Sequence, residues 1–442
     1  MINIISLIKR LLGHVHKPDP TLSSIEKKYL ISRQKHRVSK AHISPNALTV
    51  INKLRSAGFE AYVVGGCIRD LLVNKQPKDF DVATNATPAE VRKLFRNARI
   101  IGRRFKLIHV WFQREIIEVA TFRAGVTADE QQMTNERGMI IRDNAYGNIK
   151  DDAFRRDFTI NSLYYAIESG DLIDLTGGVP DIKNKQVRII GKAEQRYQED
   201  PVRMLRAIRF AAKLDFTIEE NTKKPLYNLA PNILHVAPLR LFEEVTKLYQ
   251  CGHGEAAHNM LLEFNLFSLL FPATTKLFKS NFKTQEFITL ALKSTDARIR
   301  ENKPVTPAFL FAVLLWFPLQ VRANKIQKEL NTPPLTALEQ AMSNVLTEQN
   351  RLVNIPRRFL LIIREIWILQ FRFHKRLGGR AQHLLTHPRF RAAYDFLAIR
   401  ALAKDAPIEL ADWWTEFQEK DELTQELMVK EILANSNKKP LK

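Results

Sequence analysis

Near residue 190 the hydrophobic pattern changes period, and that change constrains the fold more than any other feature of the chain. Before it, short β-rich runs alternate with helical stretches. Ala61–Val64 and Asp79–Ala83 read as strands, with Cys67–Val73 as a helix between them and a turn at Lys75–Lys78. Thr87-Pro88 opens a second helix, with Thr87 as N-cap. Val110–Phe112 and Ile116–Thr121 read as a hairpin around Gln113-Arg114, and the polar stretch 124–148 as a mobile loop. After residue 190, apolar residues recur at three and four. Pro225, Pro231, Pro238, Pro272, Pro304, Pro307 and Pro318 then punctuate successive helices. The expected architecture is an α/β region on a small mixed sheet, residues 45–190, followed by an all-α C-terminal half.

The chain has 442 residues, too many for one ordinary core. Lys and Arg number 68 against 47 Asp and Glu, a net charge of +21. That surplus exceeds what solubility requires, so nucleic acid is the leading partner class and an anionic membrane surface the second. The two cysteines, Cys67 and Cys251, exclude a disulfide scaffold and a cysteine-ligated zinc site, which fits a cytoplasmic protein. The longest apolar run, Ala308–Phe317, ends at Pro318, is too short to span a bilayer and reads as a buried helix. Residues 1–44 read as a basic arm. Met1, Ile4, Ile5, Ile8, Leu11 and Leu12 share one helical face, followed by a flexible segment. Docking on the protein itself and contact with membrane or RNA stand level for this arm. No small-residue cleavage site follows it, so secretion is not expected. The tail 435–442 reads as disordered.

Asp79-Phe80-Asp81 is the most informative trio. On a strand, Asp79 and Asp81 share one face while Phe80 and Val82 turn to the core. Two carboxylates side by side repel unless a cation sits between them, and Mg²⁺ suits such a pair. Alone the pattern is weak, since solvated surface carboxylates share it. Upstream, a strand ends in Gly65-Gly66 and a helix follows, with Arg69 one turn in. Glycine lets a phosphate approach the backbone, and the helix start supplies free N–H groups. Glu118 lies inside the apolar strand Ile116–Ala120, where a charge is costly unless paired. It completes a metal shell, accepts a proton from an attacking hydroxyl, or simply faces solvent; the sequence leaves these open.

The run Val63-Val64-Gly65-Gly66-Cys67-Ile68-Arg69-Asp70, followed by Lys78-Asp79-Phe80-Asp81, resembles the signature of the class II tRNA nucleotidyltransferase/poly(A) polymerase superfamily. The resemblance continues through Arg155–Asn161, Asp174–Asp181, Glu199–Arg206 and Arg240–Glu244, in family order over roughly residues 45–250. Ile100–Val110 and the stretch from Trp367 to Leu397 look like bacterial poly(A) polymerases. The resemblance implies a polymerase β-like nucleotidyltransferase head over 45–190 and a helical neck that reads the base over 191–252. A helical body would follow over 253–350, then a basic RNA-binding region over 351–434. It implies template-independent addition of AMP from ATP to RNA 3′ ends, with two Mg²⁺ ions on Asp79 and Asp81. Gly65, Gly66 and Arg69 would hold the triphosphate. Arg156, Asp157 and Asn161 would handle phosphate and ribose, although Arg156–Asp157 also reads as a structural ion pair.

Asp200 and Arg203 match the family's base-reading pair. A carboxylate accepts from an exocyclic amine and a guanidinium donates to a ring nitrogen. Adenine and cytosine both satisfy that order, so ATP choice requires more, with Arg206, Arg209 and Arg103-Arg104 as candidates. Asp200-Pro201 also reads as a helix N-cap. Arg240 with Glu243 and Glu244 reads first as an intrahelical ion pair. Residues 351–400 hold eleven Lys and Arg against Glu365 and Asp395. Arg372, Arg376 and Arg380, with Lys375 beside them, recur every four residues and read as one basic helical face for RNA, and Gly378-Gly379 reads as a hinge or helix break. The rival readings are a CCA-adding enzyme and a catalytically inactive RNA-binding adaptor. RNA-decay proteins enter only as partners the resemblance leaves room for, and a monomer is expected.

Overall fold

The computed structural model describes residues 25–102, 106–124, 132–134, 140–143 and 145–437. The chain forms two units, Met1–Arg203 with Asp215–Pro225, and Met204–Leu214 with Leu226–Lys442. The first holds an eight-stranded mixed sheet. Its strands are β1 (Leu30–Ile31), β2 (Ala61–Val64), β3 (Asp81–Thr84), β4 (Ala98–Ile101), β5 (Leu107–Phe112) and β6 (Glu115–Thr121). A separate hairpin pairs β7 (Gln132–Thr134) with β8 (Ile140–Asp143), and β9 (Leu163–Tyr165) and β10 (Leu172–Asp174) complete the sheet. The order is β1-β10-β9-β2-β3-β6-β5-β4. Within this sheet β3 and β6 pair in parallel, Asp81 opposite Glu118, and the other neighbours are antiparallel.

Alternation decides the faces. On β5 and β6, Ile108, Val110, Ile117 and Val119 are fully buried, while Trp111 and Ile116 on the other face are exposed. Helices Pro45–Ser56 and Pro88–Leu94 pack on the buried face. The first buries Ala47, Val50, Ile51 and Leu54, spaced at three and four. Each of its larger side chains contributes roughly 1.5–3 kcal/mol before ordering costs. Ser44 Oγ caps it, accepting from Asn46 N–H at 3.2 Å. Thr87 and Glu90 form a reciprocal capping box on the second. On the opposite face, helix Ile149–Arg155 covers only part of the sheet. Its Ile149 and Ala153 cluster with Tyr62, Val64, Ala83, Tyr164 and Ile173 from β2, β3, β9 and β10.

The second unit is helical from Pro238 to Asn437. Helix Pro307–Leu314 is buried along Ala308–Leu314 and bends by 52° into Trp316–Leu330. Trp367 Nε1–H donates to the Ala312 carbonyl at 3.1 Å, and Trp414 Nε1–H to Phe373 at 3.1 Å. Among the described residues, no single helix is long and apolar enough to cross a membrane.

Several expectations need correction. The strand read as Asp79–Ala83 begins at Asp81, so Asp79 precedes the ladder. The arm read as flexible to residue 44 is ordered in its last part. β1 pairs with β10, and Val38 and Ile43 are buried. Its first 24 residues, with the amphipathic face, lie outside the described residues. The loop read at 124–148 contains the β7–β8 hairpin; the remainder of its middle, like Arg103-Arg104, lies outside the described residues. Pro318 does not end the apolar helix; the break falls at Leu315, and proline fits the first turn of the next helix. The tail is helical through Asn437.

The basic face of Arg372, Arg376 and Arg380 is not one face. Helix Arg357–Arg372 stops at Arg372, Arg376 lies in the connection, and Arg380 begins the next helix after Gly378 at φ +62°. Arg372, Lys375 and Arg380 are exposed. Arg376 instead packs over Trp413, 5.1 Å from the ring centre, and burial lowers its pKa.

Candidate active site

The turn between β2 and helix Gly66–Leu72 requires glycine. Gly65 has φ +88°, a region side chains rarely enter, and its N–H donates to the Leu163 carbonyl at 3.1 Å. A Cβ placed on Gly65 would lie 3.6 Å from Asp81 Oδ2, 3.7 Å from Arg156 Nη1 and 3.9 Å from the Asn161 carbonyl. Four residues singled out by sequence therefore converge on one point, where only hydrogen stands in the way of a ligand.

Register brings in Glu118. The parallel β3–β6 pairing places it beside Asp81, about 4.8 Å away across the ladder. Its Oε2 lies 3.4 Å from His109 Nε2 and its side chain is 39% exposed. Burial, and then the Glu118 charge, pushes the Asp81 carboxyl up to about 7, with Arg156 opposing and exposed Asp79 adding to the rise. Among the described residues, no three His, Cys, Asp or Glu side chains form a complete metal cage. Mg²⁺ does not need one, since it keeps waters and takes one or two carboxylates plus substrate phosphates. The donor set fits that pattern: oxygen only, crowded, and short of positive charge.

Arg69 is buried at 3% exposure. Its Nε and Nη2 donate to Asp70 Oδ1 at 2.9 and 2.6 Å, and its Nη1 to Asn161 Oδ1 at 2.5 Å. Asn161 Nδ2 in turn donates to Asp157 Oδ1 at 3.2 Å. Arg69, Asn161 and Asp157 thus form one chain of bonds behind the glycine turn. Arg156 is fixed by Asp152 Oδ2 and the Tyr164 hydroxyl, at 3.1 and 3.0 Å from its Nε. Cys67 is buried beneath the turn, its thiol pushed up to about 12 by burial and the Asp81 charge, which removes it as a nucleophile.

The base-reading candidates are reached by a second chain of bonds. Asp200 follows helix Ala193–Glu199 as its C-cap, and its carbonyl accepts from Arg203 N–H at 3.0 Å. Arg203 Nη1 donates to Glu199 Oε2 at 3.0 Å and to the Arg196 carbonyl at 2.9 Å. Arg196, 6% exposed, donates to Glu199 at 2.8 Å and to the carbonyls of Arg155 and Arg156 at 2.7 and 2.6 Å. Arg206 lies beyond the point where the chain enters the second unit and stacks on Phe210, 5.3 Å from its ring centre. Glu244 takes Lys247 at 3.2 Å and Arg209 at 4.0 Å. Sequence reasoning missed Asp152, Tyr164, Arg196, Glu199 and His109. Ion-pair spacings of three and four were the available signals, between Asp152 and Arg156, Arg196 and Glu199, and Glu199 and Arg203.

Three family models match the chain: "Poly A polymerase head domain" over residues 61–188, "Probable RNA and SrmB- binding site of polymerase A" over 215–278, and "Polymerase A arginine-rich C-terminus" over 330–442. Poly(A) polymerase I of Escherichia coli O6:H1 is 48% identical over 411 residues, 91% of this chain and 88% of that protein. The CCA-adding enzyme of Oceanobacillus iheyensis is 37% identical over 220 residues, half of this chain and 53% of that protein. Among solved structures, the Bacillus stearothermophilus CCA-adding enzyme in complex with CTP shares the fold, with TM-score 0.58, 23% identity, and coverage of 85% of this chain and 82% of that one.

Proposed function

This chain belongs to the bacterial poly(A) polymerase/CCA-adding nucleotidyltransferase superfamily, and from that membership we infer how its site works. It is a template-independent nucleotidyltransferase that adds AMP to RNA. The CCA-adding relative aligns with half of the chain, whereas poly(A) polymerase I aligns along nearly all of it, which favours AMP addition over CCA addition. An inactive adaptor does not fit a site that keeps Asp79, Asp81 and Glu118.

The RNA 3′-hydroxyl attacks the ATP α-phosphorus. A new P–O bond forms to the 3′ oxygen, the bond to the β-phosphate bridging oxygen breaks, and pyrophosphate leaves. The hydroxyl proton passes to Glu118, which is partly exposed and can return it to water. Asp79 and Asp81 would hold two Mg²⁺ ions, which when bound neutralise charge on the transferring phosphoryl and activate the attacking oxygen. The Gly65-Gly66 turn lets the triphosphate approach the backbone, and Arg69 braces that turn from behind. Arg156, held near Asp81, offsets phosphate charge. In this reading Asp157 and Asn161 meet the ribose 2′-hydroxyl. Asp200 and Arg203 read the base edge, with Arg206 next along the helix. Exposed Arg372, Lys375 and Arg380 bind RNA phosphates. Free Cys67 and Cys251 accord with a cytoplasmic enzyme.

The observation that carries this reading is the pairing of Asp81 with Glu118 beneath the Gly65 turn. Incubation with a generic RNA, ATP and Mg²⁺ should give lengthened products and pyrophosphate in equal amount to the AMP added. Asp79→Ala should give neither while binding RNA normally. Extension without any divalent ion, or by D79A, contradicts the assignment.

A further inference from the structure

The sheet face that carries Asp81 is covered on one half and open on the other. Helix Ile149–Arg155 packs over β2, β9 and β10. Over β4, β5 and β6 the same face meets solvent, with Ile101 40%, Trp111 45% and Ile116 39% exposed. One row of side chains leads from Asp81 on β3 across this open half. The registers run Asp81 opposite Glu118, Glu118 opposite His109, and His109 opposite Arg99. Trp111 pairs with Ile116 in the next row. Arg99 is exposed.

Trp111 is rigidly based. Its N–H donates to the Asn97 carbonyl at 3.1 Å, and its own carbonyl accepts from Asn97 Nδ2. Its indole lies tilted beside the His109 ring, with centres 6.5 Å apart. A large, fixed, exposed aromatic next to an exposed isoleucine, continuous with a row of charged groups that starts at the reacting carboxylates, is a binding surface without its ligand. An occupant that suits this surface combines a flat apolar face for Trp111 with an anionic group for Arg99, and ends at Glu118.

We propose that this open half-face is the track for the last few nucleotides of the RNA chain, with Trp111 stacking on a base and Arg99 pairing with a backbone phosphate. The proposal rests on the reading that an RNA 3′-hydroxyl attacks at this site. Aromatic stacking accepts every base, which suits an enzyme without a template. A guanidinium matches phosphate oxygens in geometry and charge. From Asp81 to Arg99 the row spans three strand spacings of about 4.8 Å each, a length that a few nucleotides cover. His109, at 3.4 Å from Glu118, keeps that carboxylate aligned with the row.

The test uses the full-length enzyme, ATP, Mg²⁺ and a single-stranded RNA of about eight nucleotides, short enough to limit contacts elsewhere. Trp111→Ala should raise KM for this RNA about tenfold and leave KM for ATP unchanged, and Trp111→Phe should restore most of the affinity. Arg99→Glu should reduce the log–log salt slope of RNA binding by roughly 0.7. Circular dichroism checks the fold of each variant. If the wild type extends the RNA and W111A matches its KM within twofold, or R99E leaves the salt slope unchanged, the track is wrong and the function stands. A rise in KM for ATP in place of RNA also overturns it. If the wild type does not extend RNA with ATP at all, the underlying reading fails first.

Discussion

Asp81 is a poor residue for stability, and the proposed mechanism gives the reason it is there. Its carboxyl is pushed up to about 7 by burial and by Glu118. In the unfolded chain it ionises as an ordinary carboxylate, near 3.8. Between those values the folded state holds the extra proton, so this group's contribution to stability falls as pH rises and levels off above about 7. Asp81→Asn carries no charge to bury. Without divalent ions, its melting temperature relative to wild type should therefore climb from about pH 4 to about pH 8, while nucleotide addition is lost. A melting difference flat with pH would contradict the crowding of Asp81 and Glu118. The carboxylates were legible because charges stand out in apolar strands. Arg196 was not, since its role lies in reaching the carbonyls of Arg155 and Arg156, some forty residues away in sequence, which no local pattern encodes.

At the scale of elements, the sequence was most legible where a period runs unbroken. Ala61–Val64 matches its strand residue for residue, and the Thr87-Pro88 start proved to be a full capping box. The period of four from Arg372 to Arg380 misled because a connection ending in Gly378-Gly379 separates two helices, so one face was never shared. Arg372, Lys375 and Arg380 are exposed, whereas Arg376 packs on Trp413 beside a core that includes Trp414 and Phe417. Reversing the three exposed cations to Glu should weaken binding to all RNA sequences alike and lower the log–log salt slope by roughly 0.7 for each phosphate no longer neutralised. Arg376→Glu should instead lower the melting temperature, since it replaces a cation–aromatic contact worth about 1 kcal/mol with a half-buried negative charge. Equal effects of R376E and R372E on both measurements would put Arg376 back on the RNA face.

On the scale of the whole molecule, the question is which nucleotide the enzyme accepts, and no single residue settles it. In the proposed reading Asp200 and Arg203 present an acceptor and a donor, and adenine and cytosine both offer an amine beside a ring nitrogen. Guanine and uracil reverse that order, so GTP and UTP meet like against like. With a generic RNA lacking a tRNA acceptor end, ATP alone should support many additions, CTP few or none, and GTP and UTP none. Arg203 is not free to move with the base, because Glu199 and the Arg196 carbonyl hold its Nη1. A rigid reader rejects the wrong edge by leaving a charged group unpaired, which costs about 1.5–3 kcal/mol. Arg203→Ala should therefore raise KM for ATP more than tenfold and narrow the gap between ATP and GTP. Glu199→Gln, which weakens the hold without touching the nucleotide, should narrow that gap with a smaller rise in KM. Measuring single-nucleotide incorporation across the four triphosphates for both variants distinguishes a fixed reader from a passive cation. If CTP supports a short defined addition in the wild type and then stops, the enzyme selects as the CCA-adding branch does. If R203A keeps full discrimination, the base is read elsewhere in the chain.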